Sequence, residues 1–349
     1  MKAMLLKSIG KFELEEIPEP TAGVEEIIVK VEACAICGSD LRTFRYGHPI
    51  IQLPHLLGHE VSGTIVEVGK QVKGYEEGDR VAIAPGAPCG RCTYCYKGIQ
   101  NLCESRIVMG VHFPGAFAQY VRIPGQSVMA GSVVKISDHL AFEEATLGDP
   151  LVASLNGQQI VNTSLGDNVV IMGAGPIGCL HISLAKLRGA AKTILMDIND
   201  DRLKMGSQFA PSVSVNNNRE DPVEMVKRET EGLGADVVIV ACTAAQAQEQ
   251  AIRMAAKRGR ILFFAGLPKN NPFASLDSNL IHYRELAIYG SFGSTIPQYL
   301  QALALLSNGN IDGKRYITFV LPLEEIMRGV EAVERGEALK VVLKPWKND

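Results

Sequence analysis

Four cysteines lie within fifteen residues of this chain, and no other feature restricts its fold as strongly. Cys89, Cys92 and Cys95 stand three residues apart, and Cys103 follows eight residues after the third. Four thiolates at such spacing can close a tetrahedron around a structural zinc ion, with no ligand position left for a substrate. Disulfides and an iron–sulfur cluster are the alternatives, but the fourth cysteine lies too far on for a ferredoxin run. The sequence therefore predicts a structural zinc lobe over residues 89–103.

The bulk composition restricts the partners of the chain. With 349 residues, the chain is long enough for two domains and a large buried core. Its formal charge of −3 gives no reason to expect a nucleic acid or an anionic membrane as partner. No apolar run reaches the ~18 residues that span a bilayer, and the N-terminus lacks a signal-peptide pattern. We therefore expect a cytoplasmic protein whose cysteines stay reduced.

About the first 150 residues carry short strands between frequent turns. Runs of β-branched residues at 26–31, 63–69 and 78–83 are bounded by glycines or turn residues. Helical periodicity stays weak until after residue 140. This pattern is typical of an all-β barrel or sandwich.

From residue 153 the pattern changes to alternating strands and helices, which predicts a doubly wound parallel sheet. The predicted strands are 168–172, 193–196, 213–215, 236–240, 260–264 and 285–289, with helices to about 188 and at 222–231 and 245–257. After Gly290, two further helices at about 297–308 and 323–335 precede a last strand, 340–343. That last segment is well placed to return to the first domain.

A glycine-rich turn opens the first of these helices. The run Gly173–Gly178 directly follows the strand 168–172, and Asp197 lies 19 residues beyond its last glycine. This context indicates dinucleotide binding, because the glycines let a pyrophosphate approach the helix N-terminus. Asp197 would take the ribose hydroxyls and repel a 2′-phosphate, which favours NAD over NADP; alternatively it only caps the next helix. The predicted cofactor contacts are Gly173, Gly175, Pro176, Ile177, Gly178, Asp197, Arg202 and Thr243.

Three further residues of the chain can bind a metal. Cys37 precedes a glycine, His59 follows it after 22 residues, and Asp149 stands much later before a proline. Singly, each has an ordinary interpretation as a core cysteine, a hydrogen-bonded histidine or a turn aspartate. Together, a thiolate, an imidazole and a carboxylate make a three-ligand catalytic zinc site with a fourth position open to water or an alcohol.

These features jointly resemble the zinc-containing medium-chain alcohol and polyol dehydrogenases, close to the sorbitol and threonine dehydrogenase branch, over essentially the whole chain. The residues that carry the resemblance are Cys37-Gly38-Ser39-Asp40, Gly58-His59-Glu60, the four-cysteine lobe, Gly173 to Gly178 with Asp197, and Tyr283-Arg284-Glu285-Leu286. The resemblance implies an α/β protein with a GroES-like β-barrel catalytic domain at 1–152 and 291–349. A Rossmann NAD-binding domain at 153–290 would be inserted into it, with the active site in the cleft.

The resemblance also implies roles for single residues. Cys37 and His59 would be ligands of the catalytic zinc, completed by either Glu60 or Asp149, since relatives use one or the other and some alternate. Ser39 matches the hydroxyl that passes the alcohol proton outward. Many relatives have a histidine where this chain has Arg42, and an arginine does not release its proton near neutral pH. The far end of the proton relay therefore differs here.

The implied activity is the NAD-linked oxidation of a secondary alcohol of a polyol or sugar-derived substrate to a ketone, with two zinc ions per chain, one catalytic and one structural. A phosphorylated polyol or a sugar acid is the alternative substrate class, and Arg42, Arg45 and Arg284 are candidate anion contacts. A non-catalytic zinc- and nucleotide-binding protein is the alternative of another class, and a zinc-free quinone reductase would lack the lobe and Cys37. The family forms dimers or tetramers, and the apolar run Glu285–Gly290 at the predicted sheet edge would suit pairing with a second copy.

Overall fold

The computed structural model describes residues 1–346, which divide into two compact units. One unit comprises Met1–Val152 together with residues 293–346, and the other comprises Ala153–Phe292. The long helix Gly148–Ile160 contains the point of division. Within residues 1–346, no helix is both long enough and apolar enough to cross a bilayer.

The first unit consists mainly of short strands, as the turn-rich sequence predicts. Its strands are β1 Lys2–Ser8, β2 Lys11–Glu16, β3 Ile27–Ala35, β4 His55–Leu56, β5 Glu60–Val68, β6 Arg80–Ile83, β7 Gly86–Ala87, β8 Ile107–Val108, β9 Tyr120–Ile123, β10 Val133–Lys135, β17 Ile317–Pro322 and β18 Lys340–Lys344. Its helices are α1 Gly38–Tyr46, α2 Thr93–Tyr96, α3 Gly125–Met129, α4 Phe142–Ala145, α11 Ile296–Ser307 and α12 Ile326–Glu334. The helix α5 Gly148–Ile160 belongs to this unit up to residue 152 and to the second unit from residue 153.

The largest sheet of this unit runs in the order β10-β6-β5-β3-β18-β17, and β9 also pairs with β3. Alternate residues of β3 point into one apolar core, where Ile27, Val29 and Val31 are fully buried. The C-terminal strand β18 pairs antiparallel with β3, so the last segment of the chain returns to the first sheet.

The helix α1 is a feature that periodicity did not predict. Its nine residues carry only three buried side chains, Asp40, Thr43 and Phe44, which is too short an apolar stripe to detect. It begins at Gly38 because the main-chain N–H of Cys37 donates to the carboxylate of Asp40, three residues on, at 3.0 Å.

The second unit is a six-stranded parallel sheet with helices between its strands. Its elements are β11 Asn168–Met172, α6 Pro176–Leu187, β12 Lys192–Asp197, α7 Asp200–Ser207, β13 Val213–Asn216, α8 Pro222–Glu229, β14 Ala235–Val240, α9 Ala245–Met254, β15 Ala255–Phe263, α10 Ser278–Tyr283 and β16 Ala287–Gly290. The strand order β13-β12-β11-β14-β15-β16 is that of a doubly wound nucleotide-binding fold. The order reverses between β11 and β14, where such folds bind ligands at the carboxyl ends of the strands.

The sequence prediction fails at one junction of this sheet. The helix expected at 245–257 ends at Met254, and the chain passes directly into β15. Ala255 already pairs with Ala235, and the ladder resumes at Arg260 after an irregularity. Arg258 lies in the left-handed region at φ +61°, and the bulge separates the two halves of the strand. Sheet pairing therefore overrides the helical pattern of residues 255–257.

Candidate active site

The four cysteines of the lobe converge on one point. Their sulfur atoms all lie within 4.8 Å of one another, and Cys92 Sγ stands 3.6 Å from Cys95 Sγ. All four are free thiols. A tetrahedron of about 2.3 Å zinc–sulfur bonds has edges of about 3.8 Å. The residues therefore fit the predicted structural zinc ion, and no disulfide joins them.

Main-chain N–H groups of the lobe point at its sulfur atoms. The N–H of Cys89 donates to Cys103 Sγ at 3.2 Å. The pKa of the Cys92 thiol is lowered to about 6, mainly by the N–H groups of Cys95 and Glu104. The lobe thus favours the thiolate form of Cys92, the form that binds metal, whereas burial raises the pKa of Cys103 to about 12.

The second cluster is assembled by strand register rather than by local sequence. Ala35 of β3 lies opposite Glu60 of β5, so the residues after β3 meet the residues before β5. The ligand atoms of Cys37, His59 and Glu60 consequently lie within 4.8 Å of one another. A thiolate, an imidazole and a carboxylate are a donor set that zinc accepts, so the residues present fit a catalytic zinc ion.

Asp40 connects the two segments of this cluster. Its carboxylate accepts the N–H of Cys37 at 3.0 Å and the N–H of Gly58 at 3.3 Å. The same carboxylate lies 3.3 Å from Nδ1 of His59. Such a carboxylate fixes the tautomer of a metal-binding histidine and leaves Nε2 to the metal. Sequence reasoning did not assign Asp40 this role, although an acid three residues after the helix-capping Cys37 is the signal for it.

The imidazole of His59 is enclosed by negative groups. Burial lowers its pKa, but the carboxylate of Asp40 and the thiolate of Cys37 outweigh burial, so the pKa is raised well above its usual value. On the other side of the ring, Nε2 lies 3.4 Å from Ser39 Oγ and 3.9 Å from Asp149 Oδ2. The predicted proton-transfer residue and the second candidate carboxylate thus share one edge of the histidine.

The two candidate carboxylates have different surroundings. Both oxygens of Glu60 accept hydrogen bonds from Nζ of Lys340, and the pair is almost fully buried. Burial lowers the pKa of Lys340, but Glu60 and the other acidic groups around it, Cys37 and Asp149, raise it overall. Asp149 lies in the first turn of α5, with about a fifth of its side chain exposed. Glu60 is therefore neutralised by a resident cation, whereas Asp149 remains partly open.

Two more residues beside Asp149 escaped the sequence analysis. Tyr299 is buried, and a Cβ at Gly148 would come within 2.9 Å of its hydroxyl. Burial raises the pKa of Tyr299 well above its usual value, and the charges of Asp149 and Glu60 add to the rise. Arg106 is the second residue: burial lowers its pKa, and the charges of Asp149 and Cys103 act in the opposite direction. Neither belongs to a motif, so only the fold brings them here.

In the second unit, the glycine-rich turn joins β11 to α6 at the point where the strand order reverses. Gly173 has φ +116°, which favours glycine, and a Cβ at Gly178 would overlap the carbonyl oxygen of Gly173. A Cβ at Gly175, in contrast, would meet no atom within 4 Å. That open space lies at the N-terminus of α6, where a pyrophosphate can approach the main chain. Pro176 and Ile177 form the first turn of this helix.

Asp197 ends β12 and is buried against the same turn. Its carboxylate accepts the N–H of Ala174 at 2.7 Å and those of Ile198 and Asn199 at 2.8 and 3.0 Å. Asn199, not Asp197, caps α7 by accepting the N–H groups of Asp201 and Arg202. Asp197 therefore sits beside the glycine turn and does not cap the helix.

The remaining predicted contacts are placed as follows. Arg202 lies in the first turn of α7, and Thr243 is exposed just after β14. Of the three arginines considered as anion contacts, Arg45 makes a two-pronged ion pair with Glu334, Arg284 donates to main-chain carbonyls of the second unit, and Arg42 is exposed on α1.

Comparison with known proteins gives matches over most of the chain. Residues 23–138 match the alcohol dehydrogenase GroES-like domain, and residues 176–308 match the zinc-binding dehydrogenase domain. The L-threonine 3-dehydrogenase of Symbiobacterium thermophilum is 34% identical over 95% of this chain and 94% of its own length. The sorbitol dehydrogenase of Bacillus subtilis is 32% identical over 99% of this chain and 97% of its own. The crystal structure of a zinc-binding dehydrogenase from Sinorhizobium meliloti bound to NADP superposes with a TM-score of 0.91, at 30% identity and 99% coverage of both chains.

Proposed function

Because the chain belongs to the zinc-binding medium-chain alcohol dehydrogenases, we propose that it oxidises a secondary alcohol of a polyol or sugar-derived substrate to a ketone, with NAD as hydride acceptor. One observation carries the proposal. Cys37, His59 and Glu60 meet within 4.8 Å, with Ser39 Oγ 3.4 Å from the histidine. A protein that only bound zinc and nucleotide would need no hydroxyl at that position.

The residues of the cluster divide the chemistry between them. A bound zinc ion with an open position supplies Lewis acidity, which favours ionisation of a substrate hydroxyl. Cys37 and His59 would hold that ion, and Asp40, 3.3 Å from Nδ1 of His59, would keep the imidazole in the required tautomer. Ser39 would take the hydroxyl proton, and NAD, when bound, would supply the acceptor for the carbinol hydride. Since Ser39 is itself exposed, the proton reaches water without a residue at the position of Arg42.

The ion pair of Glu60 supports Asp149 as the third protein ligand. A carboxylate whose two oxygens already accept from Lys340 would have to give up a buried partner to bind metal, which is costly. Within residues 1–346, Asp149 forms no ion pair with a lysine or arginine, and its Oδ2 lies 3.9 Å from Nε2 of His59. We therefore propose that Asp149 is the third protein ligand of the catalytic zinc and that Glu60 lies close to the metal without binding it.

Asp197 supports NAD rather than NADP as the cofactor. Its buried carboxylate adjoins the turn that receives the pyrophosphate, so a 2′-phosphate would meet a fixed negative charge. The S. meliloti relative binds NADP, so the choice depends on residues of this chain rather than on the fold. The preference for NAD is measured as the ratio of kcat/KM for NAD to kcat/KM for NADP. Asp197→Ala should lower this ratio, because it removes the negative charge that repels the 2′-phosphate.

Assembly and location complete the proposal. β16 forms one edge of the six-stranded sheet, and pairing with the same strand of a second copy would satisfy its free main-chain groups in a homodimer or homotetramer. Light scattering checks this, and a charge in place of Ile288 should dissociate the oligomer; a monomer mass of 37.7 kDa for the unaltered protein would contradict it.

A cytoplasmic location suits the lobe, whose thiols must stay reduced to bind zinc.

The reaction itself is tested with purified, zinc-replete protein, NAD and a panel of polyols, polyol phosphates and hydroxy acids, by the absorbance of NADH. We expect turnover of at least one secondary alcohol, and Cys37→Ser serves as the inactive control. If the protein binds zinc and NAD but reduces NAD with no member of the panel, the non-catalytic alternative stands instead.

A further inference from the structure

Lys340 is a buried cation that contacts the candidate active site from the far end of the chain. It is the first residue of β18. Its Nζ lies 2.5 Å from each carboxylate oxygen of Glu60 and 3.4 Å from the main-chain carbonyl oxygen of Ile36. An ammonium group has three N–H donors and no acceptor. All three donors have an acceptor here, so the side chain is fixed in one position.

These contacts join the two segments that supply the ligand cluster. Ile36 directly precedes Cys37, and Glu60 directly follows His59. The N–H of Ile36 also donates to the carbonyl of Val341 at 2.9 Å, next to the lysine. The lysine is therefore tied to the cluster through its main chain as well as through its ammonium.

The ammonium determines which way the carboxylate of Glu60 faces. The ligand atoms of Cys37, His59 and Glu60 lie within 4.8 Å of one another, so Glu60 is close enough to reach a metal ion held by the other two. Both of its oxygens are engaged by Lys340, and an oxygen that turned to the metal would lose that donor. Separating a buried ion pair is costly, because each charge is left without its partner. The lysine thus favours the orientation in which Glu60 does not bind the metal.

We propose that Lys340 is a positioning residue that holds the carboxylate of Glu60 away from the catalytic metal and so keeps one coordination position open for the substrate hydroxyl. The inference rests on the proposed function and adds the residue that selects between its two candidate carboxylates. A zinc ion with four protein ligands is closed to substrate, whereas three leave a position free. Cys37, His59 and Asp149 are three such ligands. Glu60 as a fourth would close the site.

The test compares Lys340→Met with the control Lys344→Met. Lys344 lies on the same strand and pairs with Glu143 at 2.8 Å, outside the ligand cluster. Chelator competition measures the zinc affinity of the catalytic site, and Cys37→Ser identifies the signal of the structural site. We expect Lys340→Met to bind zinc about tenfold to a hundredfold more tightly, because the freed carboxylate becomes a ligand. Lys344→Met should stay within about threefold of wild type.

A spectroscopic measurement separates this inference from the proposed reaction. Cobalt(II) is exchanged into the catalytic site, and imidazole is added, which shifts the visible spectrum only where a coordination position can be taken up. We expect the shift in wild type and in Lys344→Met, and at least about tenfold weaker imidazole binding in Lys340→Met. These results support the inference even if the protein oxidises no alcohol. Zinc affinity that is unchanged or lower in Lys340→Met, or imidazole binding equal to wild type, overturns it and leaves the proposed reaction untouched.

A second variant covers the case in which Lys340→Met does not fold. Combining it with Glu60→Gln removes both charges, which buried pairs tolerate far better than the loss of one partner. Since Glu60 is not a metal ligand in this inference, the double variant should keep the zinc affinity of wild type within about threefold. Where Lys340→Met folds, the added Glu60→Gln should reverse its gain in affinity. A loss of about tenfold or more relative to wild type would show that the carboxylate binds the metal, and would overturn the inference.

Discussion

The two zinc sites of the first unit are built on opposite plans. The lobe draws four like ligands from fifteen consecutive residues, and its own main-chain N–H groups stabilise the thiolates. The active-site cluster draws unlike groups from Cys37, His59 and Glu60, which only the pairing of β3 with β5 brings together.

This difference indicates which of the two sites needs its metal ion to stay folded. A local loop with few buried side chains has little besides the metal to hold it, since none of the residues in α2 is buried. The active-site cluster is fixed by the sheet, by the carboxylate of Asp40 and by the pair Glu60–Lys340. We therefore expect the lobe to unfold without zinc and the active site to keep its shape.

The largest expected effect comes from Cys37→Ser. Removing one ligand of the catalytic metal should lower kcat/KM by about a thousandfold or more, because several kcal/mol of charge stabilisation are lost. The melting temperature should change by less than about 2 °C, because β3 and β5 hold the site without metal. Steady-state kinetics measure the loss of kcat/KM, and calorimetry measures the melting temperature. A large fall in the melting temperature would contradict the expectation that the active site keeps its shape without metal.

The lobe should respond in the opposite way. Cys92→Ser should release one zinc ion per chain and lower the melting temperature by roughly 5 °C, corresponding to ~2 kcal/mol. The kcat of the remaining folded protein with a neutral substrate should stay within about threefold of wild type. Elemental analysis and thermal melting measure the effect; full stability with one zinc lost would show that the lobe folds without its metal.

A smaller effect is expected where the active site is supported indirectly. Asp40→Asn should weaken the catalytic zinc about tenfold to a hundredfold, because His59 loses the carboxylate that orients it. Chelator competition measures the affinity, and Asp79→Asn is the control, since Asp79 pairs with Lys135 at 2.8 Å in another part of the same sheet. Equal affinities in the two variants would remove Asp40 from the site.

The smallest effect concerns His181, a buried histidine of the second unit. Unlike His59, which lies beside Asp40, His181 has no carboxylate partner among its described contacts. Burial lowers the pKa of His181 from 6.5 to about 3, so the unfolded chain binds more protons between these values. Stability should therefore fall as the pH drops below 6.5, by at most about 1.4 kcal/mol per pH unit from this residue. His181→Phe should flatten the pH dependence of the melting temperature between pH 6.5 and 5; an unchanged slope would contradict the assignment.

The sequence predicts the architecture well because its signals are local. Strand β11 is predicted to the residue, and the glycine turn and the four cysteines are continuous motifs whose neighbours in space are neighbours in sequence. The doubly wound parallel sheet follows from the alternation of strands and helices, and a matching relative shares the fold.

The contacts around the active site could not be predicted in the same way. Lys340 reaches Glu60 across 280 residues, and the guanidinium of Arg106 occupies space that only a glycine at position 86 leaves open. No periodicity or motif spacing in the sequence predicts the contacts of either residue. The helix α1 was missed for a related reason, since its polar residues serve Cys37 and His59 rather than an apolar face.

The position of Lys340 has a consequence for how a new chain matures. The four cysteines of the lobe have all been synthesised by residue 103, so the lobe can take up zinc while the ribosome is still translating. The carboxylate of Glu60, by contrast, gains its buried cation only when the much later strand β18 has been made and paired with β3. We expect the structural metal to be acquired earlier in translation than the catalytic centre forms, so that a product truncated before β18 would carry zinc without activity.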